Sequence, residues 1–310
     1  MAELIDLDED QLLRDAPEIL SALLADRTTG RNIVWACDDY GEISPAFTSE
    51  SQILPTDITG RFVGIIKPRS QKAREAQLKR TKGQAEVFTP SWVCNAQNNL
   101  IDTAWFGREG VFNIERSNGW DTNGEQILFD SPGIERSWQA YVAEPRLEIT
   151  CGEAPYLVSR YDTVTGEPIA TDDRIGLLDR KLRVVNENCE TDRDWLAWAK
   201  RAFQATYGFE YQGDSLLLAR ENLLLTYQDY RQERFGEPAA GQELQDIADI
   251  ISWNIWQMDG LTQCTPSSRE PEPQDTLFSL EPPQAVLPTP CKLMDWQTGT
   301  SIYFSSLLSK

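Results

Sequence analysis

The sequence predicts an α/β protein, and three observations carry that reading. After residue 146, strand-like and helix-like stretches alternate, as a sheet with covering helices requires. Of the 310 residues, 40% are apolar and 10% aromatic, enough to build a core and to argue against wholesale disorder. No apolar run approaches the roughly 18–20 residues that a membrane span needs, so no membrane contact is expected.

The elements follow in chain order. Residues 1–26 hold eight acids and one base, with Leu12, Leu13, Ile19, Leu20, Leu23 and Leu24 at helical spacing, which predicts one or two short amphipathic helices. Asn32–Ala36 (NIVWA) and Arg61–Ile66 (RFVGII) read as short strands between turn-rich stretches. Residues 87–110 predict a turn and then a helix, and the Gly-, Asn-, Ser- and Trp-rich stretch 111–145 an inserted loop or hairpin. Beyond 146 the expected order is a strand over LEIT, a helix near 155, a strand-like KLRVV and a helix from about Asp194 to Thr206. Then come YGFEY, a helix from about Asp214 to Arg234 with Asp214 as its N-cap, and IADIISWNIWQMD. Seven of the seventeen prolines lie between Pro266 and Pro290, which reads as an extended linker. CKLMDWQTGTSIYFSSL closes the chain as a hairpin or docking strand pair.

Composition excludes several chemistries. There is no histidine, so Ser-His-Asp and Cys-His machinery is impossible, as are zinc sites that need imidazole. The six cysteines are scattered and form no CxxC pair. The N-terminus is acidic where an export signal would be basic, so reduced thiols and a cytoplasmic location are expected. The formal charge is −20, unlike that of a protein that grips nucleic acid by overall positive charge. One block departs from this. Residues 61–82 carry net +7, through Arg61, Lys67, Arg69, Lys72, Arg74, Lys79, Arg80 and Lys82 against Glu75, which leaves −27 elsewhere. The block reads as a contact for DNA or an acidic partner, or as the solvated face of a helix.

Four segments in a fixed order carry the chemical signal. They are Glu86–Pro90 (EVFTP), Leu147–Leu157 (LEITCGEAPYL), Tyr207–Tyr211 (YGFEY) with its following helix, and Asn254–Leu261 (NIWQMDGL). Acids at strand ends and a glycine in the first turn suit a cofactor with polar groups, since glycine lets the backbone approach. Each segment alone is equally a turn or a buried strand.

This order resembles the adenine-N6 DNA methyltransferases of restriction–modification systems, and most of all their M subunits. The resemblance covers roughly 85–265 and the closing DWQTG. It implies a Rossmann-like, S-adenosylmethionine-dependent methyltransferase core over 86–262, a small mixed N-terminal region over 1–85 and a Pro-rich extension over 263–310. It implies that Phe88, Thr89 and Pro90 frame the cofactor pocket, and that Glu148, Thr150 and Gly152 belong to the turn that holds the cofactor. Ile149 and Ala154 stand where the family has Pro and a second Gly. Glu210 would bind the ribose hydroxyls, and Asp259 would meet the adenine amino group, with Met258 as apolar neighbour.

The family's base-binding N-P-P-Y segment is missing after Asp259. The nearest string, Glu281-Pro282-Pro283-Gln284, has neither the amide nor the aromatic ring that holds a flipped adenine. No catalytic residue and no metal ligand is therefore assigned. The expected function is an M-subunit-like component of a DNA adenine methylation or phage-defence system that works with a second protein subunit. DNA would be reached through that subunit or through the basic block. The alternative is a non-catalytic acidic interaction protein, a DNA mimic or a scaffold in phage defence or counter-defence. If Arg69, Lys72, Arg74, Lys79, Arg80 and Lys82 contact DNA, exchanging Lys79, Arg80 and Lys82 for Glu weakens DNA binding and flattens its salt dependence, as a titration across a salt series would register.

Overall fold

The structure, a computed structural model, describes residues 7–72, 74, 77, 80–81, 89–131, 134–269 and 285–308. Two short helices open it, α1 (Glu9–Asp15) and α2 (Pro17–Leu24). Asp8 caps α1 by accepting from the Gln11 N–H, and Pro17 starts α2 where a missing N–H costs nothing. The buried stripe of α2 is Ile19, Leu20, Leu23 and Leu24.

Helix α3 (Ser91–Phe106) ends at Gly107 in the left-handed conformation. A hairpin follows, β1 (Asn113–Arg116) and β2 (Gly119–Thr122), with Asn118 left-handed in its turn. Then comes the Ser137-capped α4 (Trp138–Ala143).

The centre is a three-stranded parallel sheet in the order β3 (Arg146–Ile149), β4 (Thr206–Glu210), β5 (Ile255–Gln257). Parallel neighbours need crossovers. Helices α5 (Leu177–Asn188) and α6 (Asp192–Gln204) connect β3 to β4, and α7 (Gly213–Phe235) and α8 (Gly241–Asn254) connect β4 to β5. Strand alternation divides the packing. Ile255 joins the main core of helices, whereas its neighbour Trp256 joins a second cluster with Phe209, Met258, Cys291, Leu293 and Phe304. That cluster is closed by the C-terminal hairpin β6 (Lys292–Asp295) and β7 (Thr300–Tyr303).

The α/β class, the opening helices and the closing hairpin agree with the sequence reading. Four local expectations are corrected. KLRVV lies inside α5, because Leu178, Lys181, Leu182 and Val185 recur at helical spacing on its buried face and Asp179 accepts from the Gly176 N–H at its start. RFVGII is no strand, since Gly60–Phe62 is a 3-10 turn and Gly64 adopts a φ of +66°. The stretch after β3 holds no helix near 155, because Thr150, Gly152 and Ala154 are all left-handed. Helix α7 starts at Gly213 with Gln212 as its N-cap, so Asp214 lies inside its first turn. The linker expected around Pro266–Pro290 falls mostly outside the described residues.

Helix α7 is buried along both flanks for most of its length, so polar side chains on it must be satisfied inside the protein. Arg220 is fully buried. Its Nε donates to the Ile255 carbonyl at 2.8 Å, Nη1 to those of Leu23 and Ala25 at 2.5 and 3.0 Å, and Nη2 to that of Ser252 at 3.3 Å. These carbonyls lie at the ends of α2 and α8, where helices leave them unpaired and partly negative. The Arg220→Met substitution orphans all four and is expected to cost about 3–5 kcal/mol, measured as a shift in urea unfolding.

A candidate cofactor cavity at the strand ends

A cavity of about 720 Å³ opens at the carboxyl ends of β3 and β4. Open α/β sheets place ligands at such strand ends. Its walls come from the turn after β3, from the start of α7 and from Gln97, Asn98 and Ile101 on α3. The turn is unusual in its backbone. Thr150, Gly152 and Ala154 have φ of +48°, +55° and +63°. Two of the three carry side chains, and such residues persist only where the surroundings hold them.

The surroundings here are two carboxylates. Glu148 accepts from the N–H groups of Tyr156 and Leu157 at 3.4 and 3.2 Å. Glu210 accepts from those of Gly152 and Tyr211 at 2.8 Å and of Gln212 at 3.1 Å. A carboxylate offers about four acceptor sites, so each keeps capacity for a ligand. Burial pushes the Glu148 carboxyl well above the usual range, with the Glu210 charge adding to the rise against the two backbone bonds. Burial likewise raises Glu210, although three backbone N–H groups pull the other way. Asn98 is fully buried, and its Nδ2 donates to the carbonyls of Tyr156 and Ile175 at 3.0 Å each. Its Oδ1 has no protein donor. Among the described residues the lining holds no Lys or Arg. The described lining therefore presents carboxyl and amide groups and no cation, which suits a ligand rich in hydrogen-bonding groups or one whose positive charge would favour the ionised carboxylates, and disfavours phosphates.

Of the residues expected at the cofactor, Thr89, Glu148, Thr150, Gly152 and Glu210 meet at this cavity. Pro90 is instead the N-cap of α3, and Phe88 lies outside the described residues. Asp259 is not in the lining; its Oδ1 accepts from the Leu261 N–H at 2.8 Å and closes a turn. Met258 lies in the smaller core cluster. Ala154 is buried in the main core, so its methyl group does not enter the cavity. Residues that the sequence did not single out are Gln97, Asn98, Tyr156, Gln212 and Ser215. The signal for Asn98 was present as a polar stripe, Asn95, Asn98 and Asp102, at helical spacing.

Part of the basic block turns inward, while Arg61, Lys67 and Arg74 are exposed. Arg80 is 4% exposed, and its Nη2 donates to Gln212 Oε1 at 2.5 Å and to Asp214 Oδ1 at 3.1 Å. Lys72 Nζ reaches Asp214 Oδ2 at 3.2 Å, and the Tyr40 hydroxyl donates to the same oxygen at 2.7 Å. Burial works to raise the Asp214 pKa, but Lys72 and Arg80 outweigh it and hold the carboxyl well below the usual range. These two cations brace the cavity wall from behind and present no charge to a phosphate. Arg80→Glu would set a like charge against buried Asp214, so it tests folding rather than DNA contact. The Arg69 guanidinium donates to Thr81 Oγ1 at 3.3 Å, and its N–H to Glu153. Arg74 is exposed, whereas Lys79 and Lys82 lie outside the described residues.

Among the described residues no group of three or more Cys, Asp or Glu is placed to hold a metal ion, and all six cysteines are free thiols. No helix among them is long and apolar enough to cross a membrane. Compared with protein families, with curated proteins and with solved structures, the chain matches none.

The raised Glu148 pKa has a sign that can be tested. The folded state keeps this proton above the pH at which the unfolded chain loses it. The stability it confers is therefore present below the unfolded pKa and lost as pH rises through the folded one. Glu148→Gln keeps an acceptor for the Leu157 N–H and removes the charge. The variant is expected to be the more stable protein at neutral pH, with the gap closing towards acid in urea midpoints measured across a pH series.

Proposed function

We propose that this chain is an S-adenosylmethionine-binding, M-subunit-like component of a DNA adenine-N6 methylation system, acting in restriction–modification or phage defence. A Rossmann-like methyltransferase core over 86–262 belongs to the same reading. The supporting observation is the convergence of Glu148, Gly152, Glu210 and Asn98 on one cavity at parallel strand ends, whose described lining holds no Lys or Arg. Besides a carboxylate that main-chain N–H groups or the cavity's open side would have to receive, S-adenosylmethionine carries an ammonium, a sulfonium, two ribose hydroxyls and an adenine amino group. Those are the donors and positive charges that this lining accepts. Glu210 would hold the ribose hydroxyls, while Asn98 and Glu148 would meet the cofactor's other donors and its positive charge. When bound, the cofactor supplies a methyl group. The residues of this chain bind and orient it and keep the cavity free of competing anions. None is assigned to activate an adenine, and a second subunit would bring the base-binding segment. The Glu281–Gln284 string lies outside the described residues.

The second reading is the acidic interaction protein. The net charge of −20 favours it, as do Lys72 and Arg80, which neutralise Asp214 instead of facing outward.

Titration calorimetry with S-adenosylmethionine separates the two. Binding is expected, and Glu210→Ala is expected to weaken it roughly tenfold to a hundredfold, the worth of hydrogen bonds to a charged group. No heat at millimolar cofactor would discard the cofactor-binding reading and leave the interaction protein.

A further inference from the structure

Two features beside the cavity are built in the opposite sense to an ordinary surface. Helix α3 buries Asn95, Asn98 and Asp102 and exposes Trp92, Ile101 and, at 70% exposure, Leu100. The same helix buries Cys94, Trp105 and Phe106, so Leu100 and Ile101 are outward apolar side chains beyond those that its core face uses, and exposed apolar groups of that kind mark an interface. Strand β3 is the second feature. The Arg146 N–H donates to the Ala205 carbonyl, so Arg146 and Glu148 face β4 with their main-chain groups, and Leu147 and Ile149 face away. No described strand pairs with that outer side. Leu147 is 45% exposed and Ile149 66%. On this outer side the Thr150 hydroxyl donates to the Ile149 carbonyl at 2.7 Å, whereas at the opposite edge of the sheet other segments close in, Arg220 taking the Ile255 carbonyl and the Cys291 thiol that of Gln257. Parallel sheets are ordinarily buried, and an apolar open edge is a template for another strand.

Ile101, Leu147, Ile149 and Tyr211 all border the cavity, so the apolar helix face and the open edge meet at one mouth. We infer that this surface receives an extended segment of a second, net-basic polypeptide, which adds as a strand to β3 and packs its apolar side chains against α3. The proposal rests on the reading above, in which the chain works with a partner, and gives that partner a place and a mode of docking. Charge decides between occupants. Two copies of this chain would bring −20 against −20, whereas a basic partner is drawn in. Strand addition supplies the main-chain bonds, and the apolar pockets supply the choice of side chains.

The test places a photo-crosslinking benzoylphenylalanine at position 100 or 149 of the full chain, in the cells where it occurs, with position 261 as a control site. The expected result is one and the same basic polypeptide captured from 100 and 149 and not from 261. With that polypeptide purified, exchange of the Leu147 and Ile149 amide hydrogens slows in the complex, and Leu100→Glu with Ile149→Lys raises the Kd by about tenfold or more. Capture of this chain itself, capture of nothing from either position, or a complex that neither protects β3 nor responds to the double variant overturns the proposal. Calorimetry with S-adenosylmethionine on the chain alone reports separately on the cofactor, so failure of that reading and failure of the docking are told apart.

Discussion

A single buried guanidinium holds the architecture together. Arg220 sits in the middle of α7, out of contact with water, and an isolated charge there would be very costly. It is tolerated because four main-chain carbonyls converge on it from the end of α2, the end of α8 and the start of β5. Each of those carbonyls would itself be an unpaired buried acceptor without the arginine. The N-terminal helices, the sheet and the helix that precedes β5 are therefore fastened by mutual need. The main core accordingly runs without a break from Ile19 to Ile255.

The cavity follows from the same economy of main-chain groups. A strand that ends in three left-handed residues leaves N–H groups pointing inward, and Glu148 and Glu210 accept from N–H groups of that turn and of the start of α7. The carboxylates hold the turn in its shape, and the turn makes two buried acids tolerable. Asp214, one turn of chain beyond Glu210, is charged for a different reason: Lys72 and Arg80 reach across from the basic block. Two adjacent acidic sites thus differ in character. One is braced by cations and closed. The other has no described cation in its lining and opens on the cavity.

That difference shapes the functional reading. The absence of histidine removes much of acid–base and nucleophilic catalysis, yet methyl transfer to a neutral amine depends on orientation and on acceptance of developing charge, for which imidazole is dispensable. What this chain offers is an acceptor-lined cavity beside an apolar rim. In the proposed reading those features would serve a binding component that works with a second subunit.

The sequence by itself determined the α/β class, the helices with clear caps and amphipathic spacing and the closing hairpin, because each depends on neighbours close in the chain; Glu148, Gly152 and Glu210 were implied by the family resemblance, and the fold brings them to one cavity. KLRVV and RFVGII were misread through that same dependence on close neighbours. Two adjacent valines imitate a strand, and only packing against the core shows a period of 3.6 rather than 2. Tertiary structure alone decided the rest. Lys72 and Arg80 look like a solvated basic run until Asp214, more than 130 residues away in sequence, appears beside them. Asn98 joins the cavity wall only because the carbonyls of Tyr156 and Ile175, distant in sequence, take its amide nitrogen and fix it there. Local sequence carries periodicity and caps. The partner of a buried charge is set by which distant segments share the core, and no spacing along the chain records that.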